Sequence, residues 1–432
     1  ASCSERASTA APSGGYALSW QDNSADETGF ELQRRSPATG AWSTIATLPA
    51  NQTTHADSSA PVGPYVHYRI RSINTSSASA WSATAADHTP PGLVSVAAQH
   101  ILVNKDSGAL ALSLRRHNGD RGVVSIGHTA TALLGSAGID YAYSPGSVSW
   151  AHAVSGDAAH GLSILNHASP QLTKLLRINY AAPTNGLVLD TSATTFVQIQ
   201  DPAAQTIPVG WASATFGTVS WTGYSEHQSG AFGISARTGN LTANTTSDNL
   251  RFVYLPVTGD CTLTARVVFN STALNSSPRA GVMIRDSLAA NARFKGILLN
   301  ESVAAEIYRA TTGGNSSSNT HSGAALPGWL RVSRVGDELR TYRSSNGTAW
   351  TEIGSARTIT LGATAYVGLF LASNSSGSGG LPGYARFDNV SISAALLAPG
   401  NVSAAPGPQP DIHGKGVERL DHPPDMPGAG RA

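Results

Sequence analysis

Apolar and polar residues alternate with a period of two through most of this 432-residue chain. Clear examples are Tyr16–Trp20, Leu110–Leu114 and Leu330–Arg334. Successive side chains of a strand point to opposite faces, so this period predicts half-buried β-strands. The 44 glycines and 23 prolines interrupt the pattern often, which is typical of short strands joined by turns. Because helical periodicity is scarce, the sequence predicts an all-β fold of tandem β-sandwich domains.

Charged residues make up only 13% of the chain, so Ser, Thr, Asn and Gly must supply most of the surface polarity. This composition indicates a secreted protein, extracellular or at the cell surface. The net charge is +1 and no basic stripe carries interleaved aromatic residues, which argues against nucleic-acid binding. No segment has the roughly 18 apolar residues of a membrane-spanning helix.

Proline- and glycine-rich breaks divide the chain into four predicted parts. Three are domains, at residues 1–91, 93–204 and 206–394. Residues 395–432 form a Pro/Gly-rich tail that has almost no apolar pattern and should not fold alone.

The first segment resembles a fibronectin type III domain. The resemblance rests on Leu18–Trp20, Glu31–Arg35, Tyr68–Asn74 and Ser79–Ser82. It implies that Trp20 and Tyr68 lie inside the sandwich, with the Tyr68 hydroxyl anchoring a corner.

The second segment resembles the Calx-beta family, through Asp106–Arg116, Gly138–Tyr141 and Gly146–Trp150. Many members of that family bind calcium through clustered acidic side chains, and a hard cation needs six to eight oxygens. Asp140 and Asp201 are the candidate ligands here. However, Asn104 and Lys105 stand where the family usually has Glu, so we expect calcium not to be required and the aspartates to serve in turns.

The third segment resembles the concanavalin-A-like jelly rolls found beside secreted bacterial glycosidases and in surface proteins. The motifs are Asp248–Tyr254, Ala280–Ser287, Trp329–Arg334, Ser345–Trp350 and Phe387–Val390. This resemblance implies two curved antiparallel sheets, one of them concave.

No residue pattern for catalysis is evident. A glycosidase needs two facing carboxylates, whereas Glu301 and Glu306 are five residues apart and would point to opposite faces of a regular strand. His227, near Tyr224 and Glu226, is the histidine most worth attention, although a surface histidine explains it better. The sequence therefore predicts a chain that is not an enzyme and needs no cofactor.

Sugar recognition combines aromatic faces with planar polar groups. Strand alternation puts Val282 and Ile284 in the core and Arg285 on the opposite face. A patch of Arg285, Glu306 and Tyr308 is the predicted glycan site; the alternative is an Arg–carboxylate pair that supports the fold. Trp329 and Trp350 are predicted to lie in the core.

The two cysteines, Cys3 and Cys261, leave several states open. They could bridge each other, bridge neighbouring chains or remain free thiols.

Two roles fit these predictions. One is a structural or adhesive protein whose tail docks on another copy, head to tail, to build a filament or matrix. The other is a carbohydrate-binding accessory region of a secreted polysaccharide-active enzyme. The expected partners are therefore copies of the chain or surface glycans.

Overall fold

The structure is a computed structural model, and it describes residues 9–10, 16–36, 39–60, 66–87, 90–190, 193–217, 219–271, 278–300, 303–374 and 381–394. The described part is all-β, as predicted, with one 3₁₀ turn at Pro202–Ala204. None of the helices in these ranges is long and apolar enough to cross a membrane. By its contacts the chain divides into two compact units, Ala1–Ala394 and Ala395–Ala432. The predicted tail lies outside the described residues, so head-to-tail assembly stays a prediction.

The first sandwich pairs the sheet β1-β2-β5 with the sheet β4-β3-β6-β7. Its core contains Trp20 and Tyr68, the two residues that the resemblance of this segment implied to lie inside. The Tyr68 hydroxyl donates to the Asp57 carboxylate at 2.9 Å, which ties two strands together. The strands are β1 Thr9–Ala10, β2 Tyr16–Ser19, β3 Gly29–Arg35, β4 Ser43–Pro49, β5 Thr54–Asp57, β6 Val66–Ile73 and β7 Ala85–Asp87.

The second sandwich has two five-stranded sheets, β12-β14-β10-β8-β16 and β13-β11-β15-β17-β9. Its core contains Trp150 and a set of aliphatic side chains that face each other across the two sheets. The strands are β8 Leu93–Val96, β9 His100–Asn104, β10 Ala109–His117, β11 Val124–Leu134, β12 Tyr141–Ala142, β13 Gly146–Trp150, β14 Gly156–Ile164, β15 Lys174–Ala181, β16 Val188–Leu189 and β17 Thr194–Gln200.

The third sandwich packs a seven-stranded sheet, β18-β21-β31-β23-β24-β25-β26, on an eight-stranded sheet, β19-β20-β32-β22-β27-β28-β29, with β30 paired to β28. The strands are β18 Ala212–Phe216, β19 Val219–Gln228, β20 Ala231–Thr238, β21 Leu250–Thr258, β22 Cys261–Asn270, β23 Arg279–Arg285, β24 Phe294–Asn300, β25 Val303–Arg309, β26 Ser317–Ser322, β27 Gly328–Val335, β28 Glu338–Ser344, β29 Thr351–Glu352, β30 Arg357–Thr358, β31 Thr364–Ala372 and β32 Gly383–Ala394.

Both faces of the seven-stranded sheet are apolar. The inner face, which includes Val282 and Ile284, packs against the eight-stranded sheet. The outer face carries a second cluster that includes Phe252, Met283 and Phe370. Leu241 and Leu288, from the loops after β20 and β23, cover this outer face. The sheet therefore lies between two hydrophobic clusters.

Cys261 is a buried, free thiol at the start of β22. Burial raises the pKa of this thiol to about 11, so it is protonated and unreactive at neutral pH. Cys3 lies outside the described residues.

Candidate functional site

Arg285 ends β23 on the outer face of the seven-stranded sheet, and it is fully buried. Its Nη1 lies 3.1 Å from the Asp248 carboxylate, and Arg309 contacts the same carboxylate at 2.8 Å. The Arg285 guanidinium also donates to the carbonyls of Ser287 and Ala289 at 2.8 and 2.6 Å. This Arg–Asp–Arg triad pins the covering loops to the sheet.

Glu306 is also fully buried, but on the inner side of the sheet near its edge. Lys295 and Asn319 each donate to its carboxylate at 2.5 Å. Gly354 lies against the same carboxylate, with a φ of +77° and room for no Cβ, so glycine is required at this position. Tyr308, two residues further along β25, is half-buried beneath Arg357, whose guanidinium carbon lies 4.5 Å from the ring centroid.

The structure does not bring the three predicted glycan ligands together. Arg285 lies on the outer face of the sheet, whereas Glu306 and Tyr308 lie on the inner side. The Arg–carboxylate pair that we considered as the alternative does exist, but its acid is Asp248. As a glycan site the three residues stay a prediction, and only Tyr308 keeps part of its surface exposed.

A surface cleft of about 330 Å³ lies on the third sandwich beside Trp329. Trp329 forms part of the wall, and Arg343, Ser344 and Thr351 supply polar groups. Arg343 is held there because its Nη1 donates to the Ser322 carbonyl at 3.0 Å. The remaining wall is made of small or apolar residues: Leu299, Gly323, Ala324, Ala325, Pro327, Gly328, Ser345 and Ala349. The cleft therefore combines an indole with planar and hydroxyl hydrogen-bonding groups.

The sequence prediction that Trp329 and Trp350 lie in the core is wrong. Both are half-buried. Leu330 and Val332 point into the core from β27, so the alternation turns Trp329 to the opposite, outer face. Trp350 stacks on Arg331 of that same face, with the guanidinium carbon 3.8 Å from the ring centroid.

Gly347 positions the Trp329 ring. Its backbone has a φ of +78°, and a Cβ there would lie 2.8 Å from the indole. The turn between β28 and β29 can pack on the ring only because this residue is glycine. The cleft wall is thus fixed before any ligand arrives.

In the second sandwich, Asp140 and Asp201 line one small cavity together with Lys105, His167 and Lys174. Lys105 Nζ lies 2.8 Å from Asp201, and Lys174 Nζ lies 3.3 Å from Asp140. His167 Nε2 is 3.2 Å from Asp140. Lysine ammonium groups therefore occupy the positions next to both candidate calcium ligands. Within the described ranges, no group of three or more His, Cys, Asp or Glu side chains is placed to hold a metal.

A further polar cluster joins the second and third sandwiches through residues that are distant in sequence. Glu226 accepts from the Tyr384 hydroxyl at 2.6 Å and from the Thr173 amide and hydroxyl, each at 3.0 Å. Gln198 donates to the Tyr224 hydroxyl at 2.7 Å. Burial raises the pKa of Glu226, although these hydrogen bonds oppose the rise.

His227, the histidine that the sequence singled out, is half-buried next to this cluster. Its ring lies 4.7 Å from that of Phe232, and burial lowers its pKa. Its neighbours Tyr224 and Glu226 therefore belong to the contact between sandwiches, which no local pattern could reveal.

No family model matches this chain, and no curated protein matches it. Among solved structures, the chain is similar to the apo form of the Calx CBD1 domain, with 17% identity and a TM-score of 0.24, over 25% of this chain and 96% of that one. A functionally unknown protein from Saccharomyces cerevisiae has 18% identity and a TM-score of 0.35, over 44% and 98% of the two chains. A family 7 alginate lyase, A1-II′, has 15% identity and a TM-score of 0.27, over 42% and 84%.

The lyase match corrects one prediction. The inference that the chain is not an enzyme is unsupported and conflicts with this comparison, since alginate lyases are among the solved structures similar to the chain. The search for two facing carboxylates tests only for a glycoside hydrolase, so it leaves other kinds of enzyme untested. At these identities and TM-scores the neighbours assign no activity, calcium site or ligand to this chain. The resemblance of the first segment to fibronectin type III domains stays a prediction.

Proposed function

We propose that this chain is a carbohydrate-binding, adhesive β-sandwich protein that acts outside the cell or at its surface. The Trp329 cleft is the observation that carries the proposal. Sugar sites combine an aromatic surface, which contacts the apolar C–H faces of the ring, with a few fixed polar groups that contact the hydroxyls. Trp329 supplies the first, and Arg343, Ser344 and Thr351 supply the second.

The size and rigidity of the cleft support a short glycan. Ligand pockets begin at about 300 Å³, so a cleft of about 330 Å³ suits one or two sugar rings. Gly347 and the Arg343–Ser322 hydrogen bond hold two parts of the wall in place. Because these parts of the wall are already held in place, the protein loses little conformational entropy when a glycan binds.

The chain of sandwiches supports the adhesive part of the proposal. The three- and four-stranded sheets of the first sandwich fit the architecture of a fibronectin type III domain, which many cell-surface domains share. The Glu226 cluster would keep the second and third sandwiches in a fixed relation. A binding region of a larger polysaccharide-active protein would use the same cleft in the same way.

The test is a glycan array followed by calorimetry with the best neutral oligosaccharide. We expect Trp329→Ala to weaken binding about tenfold or more, because it removes the aromatic wall. Trp221→Ala is the matched control, since Trp221 is half-buried on β19 and lines no part of the cleft. Arg343→Gln is a second variant that spares the packing of the indole on Gly347. Binding that survives both cleft variants would contradict the proposal.

A further inference from the structure

The first sandwich carries a ladder of alternating arginines and tryptophans on the outward face of β3 and β6. The order is Arg35, Trp42, Arg69, Trp81, Arg71. The successive distances from guanidinium carbon to indole centroid are 4.7, 4.3, 4.2 and 4.3 Å. All four lie within the range of cation–π attraction. Phe30, Leu32, Tyr68 and Ile70 fill the core from the same strands, so the alternation turns the ladder away from the core.

The ladder is positively charged. Arg71 pairs with Glu31 at 2.5 Å, whereas Arg69 donates to the neutral side-chain carbonyl of Gln33 at 3.0 and 2.6 Å. Three guanidinium groups against one carboxylate leave a local net charge of +2, on a chain whose total net charge is +1. Burial lowers the pKa of Arg69, and the charges of Arg71 and Arg35 lower it further. An anion placed against the ladder would relieve this repulsion.

The stacking restricts what can bind. Trp42 lies between Arg35 and Arg69, and Trp81 lies between Arg69 and Arg71, so both indoles already contact guanidinium groups. Single-stranded nucleic acid is recognised by stacking its bases on open aromatic faces, and these rings are engaged. What the half-buried ladder presents instead is a row of planar N–H donors. Such donors bind carboxylate and sulfate oxygens in bidentate geometry.

We propose that this Arg–Trp ladder is a docking surface for an acidic polysaccharide, whose negative groups pair with Arg35 and Arg69 on the outward face of β3 and β6. Such a polymer carries a row of negative charges, which is complementary in sign to a row of guanidinium groups. The surface lies on the first sandwich and shares no residue with the Trp329 cleft, so each site can fail without the other.

The experiment measures binding of the full chain to polygalacturonate and to fully methyl-esterified polygalacturonate, which is the same polymer without charge. We expect binding to the charged polymer alone, and weaker binding as salt is added. Arg69→Gln should lower the affinity about tenfold, the size of one charge-assisted pair. Arg69→Lys should recover part of the loss, because it restores the charge but not the planar fork.

Two controls keep the proposal falsifiable. Arg115→Gln removes one exposed arginine from the second sandwich, where Arg115 is 64% exposed, and should leave binding unchanged. Thermal unfolding of each variant separates lost binding from lost folding, and Arg69→Lys covers the case in which Arg69→Gln unfolds. Equal affinity for the methyl ester, an equal loss in Arg115→Gln, or no binding would overturn the proposal. Tighter binding of single-stranded DNA that also depends on Arg69 would overturn it as well.

Discussion

The second and third sandwiches both place aspartates beside cations, but they do so at different depths. In the third sandwich the side chains of Asp248, Arg285 and Arg309 are all 0% exposed. In the second sandwich Asp201 is buried, whereas its partner Lys105 keeps 18% of its side chain exposed. One cluster is sealed beneath loops and the other opens to solvent through its lysines.

The pKa values of the two aspartates shift in opposite directions. Burial raises the pKa of Asp248, and the charges of Arg285 and Arg309 only partly oppose the rise. Burial also acts on Asp201, but hydrogen bonds from Lys105 and from the amides of Gln171 and Ala203 outweigh it and lower the pKa. The comparison shows that the extent of desolvation, rather than the number of cationic partners, decides whether the pKa of a paired aspartate rises or falls.

The largest effect on stability is predicted for a substitution that breaks the buried cluster of Asp248, Arg285 and Arg309. Asp248→Ala should lower the free energy of unfolding by about 3–5 kcal/mol, because it leaves two buried guanidinium groups without a counter-charge. Asp201→Ala is the matched control and should cost only about 1 kcal/mol, since Lys105 can turn towards water. Urea unfolding of both variants measures the contrast. Equal losses would show that the depth of burial does not separate the two clusters.

Strand alternation predicted much of this architecture. It placed Val282 and Ile284 in the core, where the structure has them. The same pattern also contains a signal of burial on two faces. Strands such as Tyr366–Ala372 are apolar at nearly every position, which indicates burial on both faces. That signal would have shown that the outer face, with Arg285, was covered.

The remaining errors concern contacts between distant segments. Asp248 reaches Arg285 and Arg309 only after a loop folds over the sheet, and the sequence does not encode that path locally. The Glu226 cluster joins residues of different sandwiches in the same way. The Trp329 cleft could have been found, because the alternation that buries Leu330 turns Trp329 outward.

The second sandwich also contains two packed histidines with lowered pKa values, His128, which is buried, and His160, which is half-buried. The rings of His128 and His160 stack with centroids 3.8 Å apart, and their hydrogen-bonding partners are the hydroxyls of Tyr143 and Tyr180. Burial, with a contribution from His128, lowers the pKa of His160 to about 4. In contrast to the sealed triad, this pair avoids a buried charge by excluding the proton.

From this histidine pair we predict a loss of folding stability at acidic pH that is smaller than the loss expected for Asp248→Ala. The unfolded state takes up a proton near pH 6.5 and the folded state only near pH 4. Stability is therefore fully present above pH 6.5 and falls as the pH drops towards 4, by about 2 kcal/mol after allowance for partial exposure. His160→Gln should flatten the stability curve between pH 7 and 5, measured by urea unfolding. His55→Gln, in the first sandwich, is the control, and an unchanged slope in His160→Gln would refute the assignment.

The smallest predicted effect concerns calcium at the open cluster. Lys105 and Lys174 already neutralise Asp201 and Asp140, and Lys105 also donates to the carbonyls of His167 and Ser169 at 2.9 and 3.3 Å. A divalent cation would have to displace both ammonium groups and still find six to eight oxygens. We therefore expect millimolar calcium or a chelator to change the Tm by less than about 1 °C, within the scatter of thermal unfolding. The double variant Lys105→Glu/Lys174→Gln removes both ammonium groups, makes the cluster negative and supplies a further carboxylate. If it binds calcium with a Kd near 1 mM, 10 mM calcium should stabilise it by about 1.4 kcal/mol, a shift of a few degrees. A fall of many degrees when the unmodified chain meets a chelator would instead show that calcium, and not lysine, balances these aspartates.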